Sequence, residues 1–233
     1  MQAVRRAAER GTSNLGWLDS RHTFSFSSYY DPNFMGFGTL RVINEDRVQP
    51  GAGFDTHSHR DMEILSWVLE GALAHKDSMG SGEVLRPGEL QRMTAGTGVT
   101  HSEFNASQAE PLHFLQIWLL PERQGLTPGY AQRGFADAEL ADRLCLVASH
   151  DGRDDSISVH QDVSLYVARA AAGVELVQTF APNRRAWLQV ARGTVEVDGR
   201  EFGAGDAVAW IGARRLAFRA KTASEVLLFD LAG

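Results

Sequence analysis

A chain of 233 residues with 43% hydrophobic and 22% charged side chains is too apolar for wholesale disorder and long enough for one large or two small domains. The formal charge is −6, the only lysines are Lys76 and Lys221, and no basic run exceeds a pair such as Arg184-Arg185, which argues against direct nucleic-acid binding. Cys145 stands alone, the first residues have no apolar stretch behind them, and the longest apolar run, Ile64 to Leu69, is broken by Ser66. These features exclude a disulfide framework, a secretion signal and a membrane span, and leave a cytoplasmic protein as the expectation.

In chain order, strand signals dominate. Thr23 to Tyr30 alternates phenylalanine with small polar residues, and Asp31-Pro32-Asn33 then reads as a turn. Ile64 to Leu69 and His113 to Leu120 are short apolar runs bounded by turn residues, as expected of buried strands. Gln124 to Gly134 reads as a connector, and Asp137 to Leu144 carries the one helical pattern. Further strands are expected at Ser164 to Arg169, Val174 to Phe180, Trp187 to Ala191, Thr194 to Val197, Asp206 to Trp210 and Ser224 to Leu231. Asp198-Gly199 is a two-residue hairpin signal, because a type I′ turn needs positive φ at both central positions.

Many short strands with glycine turns predict a sandwich or barrel. Leu69-Glu70-Gly71 resembles Ala191-Arg192-Gly193, and Pro87-Gly88-Glu89 resembles Ala204-Gly205-Asp206, so two copies of one fold are expected. The boundary is placed between residues 1–130 and 131–233.

The histidines carry the chemistry. His57 and His59 lie two apart after Gly51-Ala52-Gly53-Phe54, and His101 and Glu103 share that spacing after Ala95-Gly96-Thr97-Gly98-Val99. Residues i and i+2 of a strand point to one face, so two facing strands would bring three imidazoles and one carboxylate to one point. That donor set suits one divalent transition metal with positions left open for substrate: iron(II) as first candidate, with manganese(II), nickel(II), copper(II), zinc(II) and cobalt(II) as others. Glu63, four residues after His59, competes with Glu103 on spacing alone. His22, His75, His150 and His160 are set aside as lone histidines, and His113 as a packing residue. Phe54, Phe114, Trp67, Trp118 and Met93 are candidates for an apolar wall against a flat ligand.

Gly51-x5-His57-x-His59-x3-Glu63 resembles the first cupin motif, and Pro87-x-Glu89 through Gly96-x-Gly98-x2-His101 resembles the second. The runs Gly16-Trp17-Leu18-Asp19, His22-Thr23-Phe24-Ser25-Phe26, Asp61-Met62-Glu63, His101-Ser102-Glu103 and Gln116-x-Trp118 resemble the pirin family, above all its bacterial quercetin 2,3-dioxygenase-like members. The resemblance implies an all-β bicupin, two tandem jelly-roll barrels with a short helical linker. Metal is expected only in the amino-terminal barrel, on His57, His59, His101 and Glu103, which favours Glu103 over Glu63. Counting along the repeat puts Thr179, Ala181, Phe218 and Ala220 at the four equivalent positions, which cannot make a comparable site. The implied reaction is the opening of a flavonol's central ring by dioxygen with release of carbon monoxide, with Glu103 as ligand, general base or both. The implied partners are a small aromatic substrate and dioxygen, with no nucleic acid and no membrane. Two alternatives stand beside it: a non-catalytic, metal-loaded regulator acting through a protein partner, and a cupin enzyme of another kind.

Overall fold

The structure is a computed structural model that describes residues 3–233. Strand β1 (Ala3–Arg5) precedes eleven strands: β2 (Gly11–Asn14), β3 (Leu18–His22), β4 (Leu40–Val48), β5 (Gly53–His59), β6 (Glu63–Glu70), β7 (Leu73–Asp77), β8 (Gly82–Leu85), β9 (Glu89–Thr94), β10 (Val99–Asn105), β11 (Leu112–Leu119) and β12 (Gly129–Gly134). One helical turn, α1 (Asp137–Leu140), leads to β13 (Cys145–Ser149), β14 (Ile157–Ser158), β15 (Val163–Ala170), β16 (Glu175–Arg192), β17 (Thr194–Val197), β18 (Arg200–Gly203), β19 (Ala207–Ala220) and β20 (Ser224–Leu231). The fold is all-β, as expected. No helix among the described residues is long and apolar enough to cross a membrane.

The chain divides into two compact units. One comprises Gly11–Gly134 with Val159–Gln161; the other takes Phe135–Ser158, Asp162–Gly233 and residues 3–10. Residues 3–10 thus join the carboxy-terminal unit, because β1 pairs with β19.

In the amino-terminal unit, a seven-stranded sheet in the order β12-β9-β6-β11-β4-β3-β2 accompanies a four-stranded sheet in the order β5-β10-β7-β8. Alternation fixes what each strand shows. On β6, Ile64 packs with Met93, Ala95 and Val99, and Val68 packs with Leu18, Leu73, Leu112 and Phe114. Ser66 lies between them on the same face, fully buried, and its hydroxyl donates to Glu103. The even positions of this strand therefore line the interior of the unit.

The carboxy-terminal unit is one nine-stranded sheet in which β16 and β19 are unusually long and pair with an irregular register between Thr179 and Arg184. Its core is filled by apolar side chains that include Leu188, Val190, Val195, Phe202, Phe218 and Ala220. The repeat glycines play matching parts: Gly71 and Gly193 have φ of 77° and 75°, Gly88 and Gly205 have 88° and 86°. A Cβ on Gly71 would run into the carbonyl of Pro111, and one on Gly193 into the carbonyl of Ala223.

Three sequence expectations are corrected. Thr23 to Tyr30 is not a strand: β3 ends at His22, Ser27 takes φ of 51°, and Phe26 and Tyr29 exchange backbone hydrogen bonds that close a tight loop. The phenylalanine alternation instead serves packing, with Phe24 buried and Phe26 edge-on to Trp118. The latter half of the connector is β12, paired with β9 along its length. The helix stops at Leu140, since Ala141 turns to an extended conformation and bridges to Arg169. The Asp198-Gly199 turn forms as expected, with φ of 50° and 72° between the paired residues Val197 and Arg200.

Candidate metal centre

Strands β5 and β10 pair antiparallel, with His57 opposite His101 and Val99 opposite His59. A register shift follows between His101 and Glu103, placing Glu103 opposite Phe54. The three imidazole rings form a tight triangle, with centroid separations of 4.4 Å for His57–His101, 4.8 Å for His57–His59 and 4.9 Å for His59–His101. Each offers a nitrogen within 4.8 Å of the others.

The hydrogen bonds around this triangle prepare it for a cation. The carbonyl of Asp55 can only accept, so the 2.8 Å contact to His57 Nδ1 places the proton there and leaves the Nε2 lone pair free. His101 is 1% exposed, yet neither of its ring nitrogens has a hydrogen-bond partner. A buried imidazole without partners is costly unless something else satisfies it. Burial and the neighbouring imidazoles of His57, His59 and His75 hold His101 down to about 3; burial and His57 hold His59 down to about 4. Both rings are therefore neutral at physiological pH and present lone pairs. The residues fit a divalent transition metal.

Glu103, also 1% exposed, is held at both oxygens. Ser66 Oγ donates to Oε1 at 3.3 Å, and Gln116 Nε2 donates to Oε2 at 2.7 Å. Gln116 is fixed in turn by Trp118, whose indole N–H donates to Gln116 Oε1 at 3.2 Å. Burial, with a further push from Asp46, raises the Glu103 carboxyl to about 7, against the lowering effect of these donors.

Glu103 falls in a second group of ligand-type atoms, with His101 and His75, overlapping the first. His75 was set aside on sequence, and here the structure differs. Strand β7 pairs with β10 so that His75 lies opposite Glu103 and Asp77 opposite His101. The signal was present: His75-x-Asp77 repeats the spacing of His101-x-Glu103. Yet His75 is already satisfied, with Nε2 bonded to Asp77 at 3.0 Å and Gln91 Nε2 reaching Nδ1 at 3.3 Å. It backs His101 at a centroid distance of 5.3 Å and has no lone pair to give.

Glu63 points elsewhere. Asp61 takes φ of 51° between β5 and β6, so the parity that linked Glu63 to His59 breaks at this turn. Glu63 Oε2 accepts instead from the backbone N–H of His160 at 3.1 Å. His113 pairs with Glu45 at 3.0 Å, away from the triangle.

A cavity of about 470 Å³ opens onto His57, His59 and Glu103. Of the apolar residues expected to line it, Phe54 and Trp118 do; Trp67, Phe114 and Met93 are fully buried core residues. Trp17 and Phe26, which sequence reasoning missed, complete the aromatic wall, Trp17 edge-on to Phe54 at 5.3 Å. His22, set aside as a lone histidine, also lines the cavity.

Comparison with known proteins accords with this geometry. Residues 3–119 match the Pirin family model, and residues 146–231 match that of the quercetinase C-terminal cupin domain. Quercetin 2,3-dioxygenase of Escherichia coli K12 is 51% identical over 98% of this chain and 97% of its own. The crystal structure of the bacterial pirin YhhW from Escherichia coli in complex with nickel(II) superposes with a TM-score of 0.94, at 50% identity, over 99% of this chain and 98% of that one. A quercetin 2,3-dioxygenase structure from Acinetobacter baumannii shares the fold at a TM-score of 0.79 and 18% identity, over 99% of this chain and 85% of that one. The chain belongs to the pirin family and has its bicupin fold.

Proposed function

We propose that this chain is a metal-dependent dioxygenase that opens the central ring of a flavonol such as quercetin, consuming dioxygen and releasing carbon monoxide. The observation that carries the reading is the character of the cavity. It joins His57, His59 and Glu103 to aromatic walls, and none of its lining residues is lysine or arginine. Its acids, Asp46, Asp55 and Glu103, disfavour anionic ligands, so a flat, neutral, hydroxylated ring system suits it. The similar proteins described above that are named quercetin 2,3-dioxygenases support the same substrate class.

His57, His59, His101 and Glu103 would hold the ion. A divalent metal there supplies Lewis-acid stabilisation of a phenolate oxygen and, with a redox-active ion, electronic access to dioxygen. The protein does the rest. Trp17, Phe26, Phe54 and Trp118 bind and orient the ring plane and exclude water. Glu103, raised to about 7 by burial before an ion binds, would take the proton of the substrate hydroxyl delivered to the triad when it is released from the ion. Ser66 and Gln116 hold the Glu103 carboxylate in place.

The lone cysteine supports a cytoplasmic setting for this activity.

The test loads purified protein separately with iron(II), manganese(II), nickel(II) and copper(II), and follows quercetin absorbance and carbon monoxide under air. Loss of the flavonol band with carbon monoxide formed is the expected result. No turnover with any of the metals overturns the reading.

A further inference from the structure

Opposite the imidazoles, strands β3, β4 and β11 turn a strip of polar side chains into the cavity: Ser20 across from Asp46, and His22 and Gln116 on either side of Asn44. Most of this strip is internally satisfied. His22 Nδ1 bonds Asn44 Oδ1 at 2.9 Å and lies 3.4 Å from Ser20 Oγ, while both ends of Gln116 are engaged by Glu103 and Trp118.

Asp46 differs. It is 3% exposed and lines the cavity, and Ser20 gives its carboxyl a hydrogen bond, yet Oδ1 is closed off from water with no partner. No cation sits among the cavity residues to balance it; Asp19, Glu45 and Glu103 add only like charge. A buried acceptor left open in a native site is expected to have a use. Toward the metal centre it contributes only like charge beside Glu103.

We propose that Asp46 is a substrate-contacting residue: its carboxyl accepts a hydrogen bond from a phenolic hydroxyl other than the one delivered to His57, His59 and His101. The inference rests on the flavonol reading and adds the feature that selects among flavonols. Burial raises the Asp46 carboxyl to about 7, so above that pH it is ionised, and an acceptor without a neighbouring cation then recognises a hydroxyl donor and rejects a carbonyl or carboxylate at the same place. The terminal torsion of aspartate is soft, so either oxygen can turn to the ligand while Ser20 keeps the other.

The experiment compares quercetin with 3-hydroxyflavone, which keeps the 3-hydroxyl and its adjoining carbonyl but lacks every other hydroxyl. Binding to the full-length protein, metal-free and nickel(II)-loaded, is measured at pH 8, where Asp46 is ionised, without oxygen by quenching of tryptophan fluorescence. Wild-type protein should prefer quercetin by about tenfold to a hundredfold, the range of a hydrogen bond to a charged group. Asp46→Ala should bring that preference to within about threefold, and Asp46→Asn, which keeps a neutral acceptor, should give an intermediate value. In both variants 3-hydroxyflavone should bind as in wild type, which also reports an intact cavity. A preference unchanged in both variants overturns this inference and leaves the flavonol reading standing. Wild-type protein that binds neither compound overturns both.

Discussion

His57 and His101 face each other directly across the β5–β10 pairing, their ring centroids 4.4 Å apart, and only one of the two has a protein partner for its ring. His57 is anchored by the Asp55 carbonyl, whereas His101 is buried with both nitrogens open. That asymmetry argues that the triangle is completed by an ion rather than by the protein.

His57→Ala and His101→Ala should each lower bound metal, measured by elemental analysis after reconstitution, and abolish the metal-dependent rise in melting temperature expected of wild type. Circular dichroism should show the β fold intact. Glu63→Gln, at a carboxylate engaged by His160, should retain metal content. Full metal retention in both histidine variants would show that the ligands are elsewhere.

The pairing itself was legible in the sequence, because the period of a strand is two and His57-x-His59 and His101-x-Glu103 each occupy one strand. What spacing could not decide was parity across a turn. Glu63 shares the parity of His59 only if the strand runs on, and Asp61 breaks it with a positive φ. Nor could sequence see β7 beside β10, which makes His75 a neighbour of Glu103. The Thr23-to-Tyr30 alternation misled for a related reason: apolar residues at every second place also serve a loop that packs both ways, as Phe24 into the core and Phe26 onto Trp118 show.

Gln116 transmits the orientation of the cavity wall to Glu103, since Trp118 fixes its amide and its amide fixes the carboxylate. Gln116→Leu should therefore lower kcat/KM for quercetin, or metal affinity, by about tenfold to a hundredfold, the usual effect of losing a partner that orients a ligand. Trp118→Phe keeps an aromatic wall beside His59 but removes the indole donor. It should lower kcat more than it raises KM. Steady-state kinetics on the two variants checks this, and equal losses in KM alone would assign both residues to substrate binding only.

Gly71 and Gly193 occupy the same left-handed position in the two units, each against a backbone carbonyl of a neighbouring segment. Alanine at either site meets strain and a collision together, and each substitution should cost about 2 kcal/mol or more. Urea denaturation would measure it. If Gly71→Ala is costly and Gly193→Ala is neutral, the two turns are not structural equivalents despite their matching φ.

The pH dependence of metal binding follows from the raised carboxyl of Glu103. With His59 held to about 4 and His101 to about 3, both imidazoles are already neutral above pH 5 and do not limit binding. Glu103, pushed up to about 7 by burial, carries a proton over much of the range below that value, and a cation must displace it. Metal affinity should rise with pH and level off above about 7, with up to about one proton released per ion at pH 6, detectable by calorimetry in buffers of different ionisation enthalpy. In the metal-free protein the sign reverses. A carboxyl raised from 4.5 to about 7 adds stability fully present below pH 4.5 and lost as pH climbs through 7, because the fold prefers the protonated form. Glu103→Gln mimics that form, so the metal-free variant should be more stable than metal-free wild type at pH 8, by on the order of 2 kcal/mol, and should lose the advantage near pH 4. Denaturation curves at the two pH values decide it, and a variant less stable than wild type at pH 8 would mean that the ionised carboxylate is well satisfied by Ser66 and Gln116 alone.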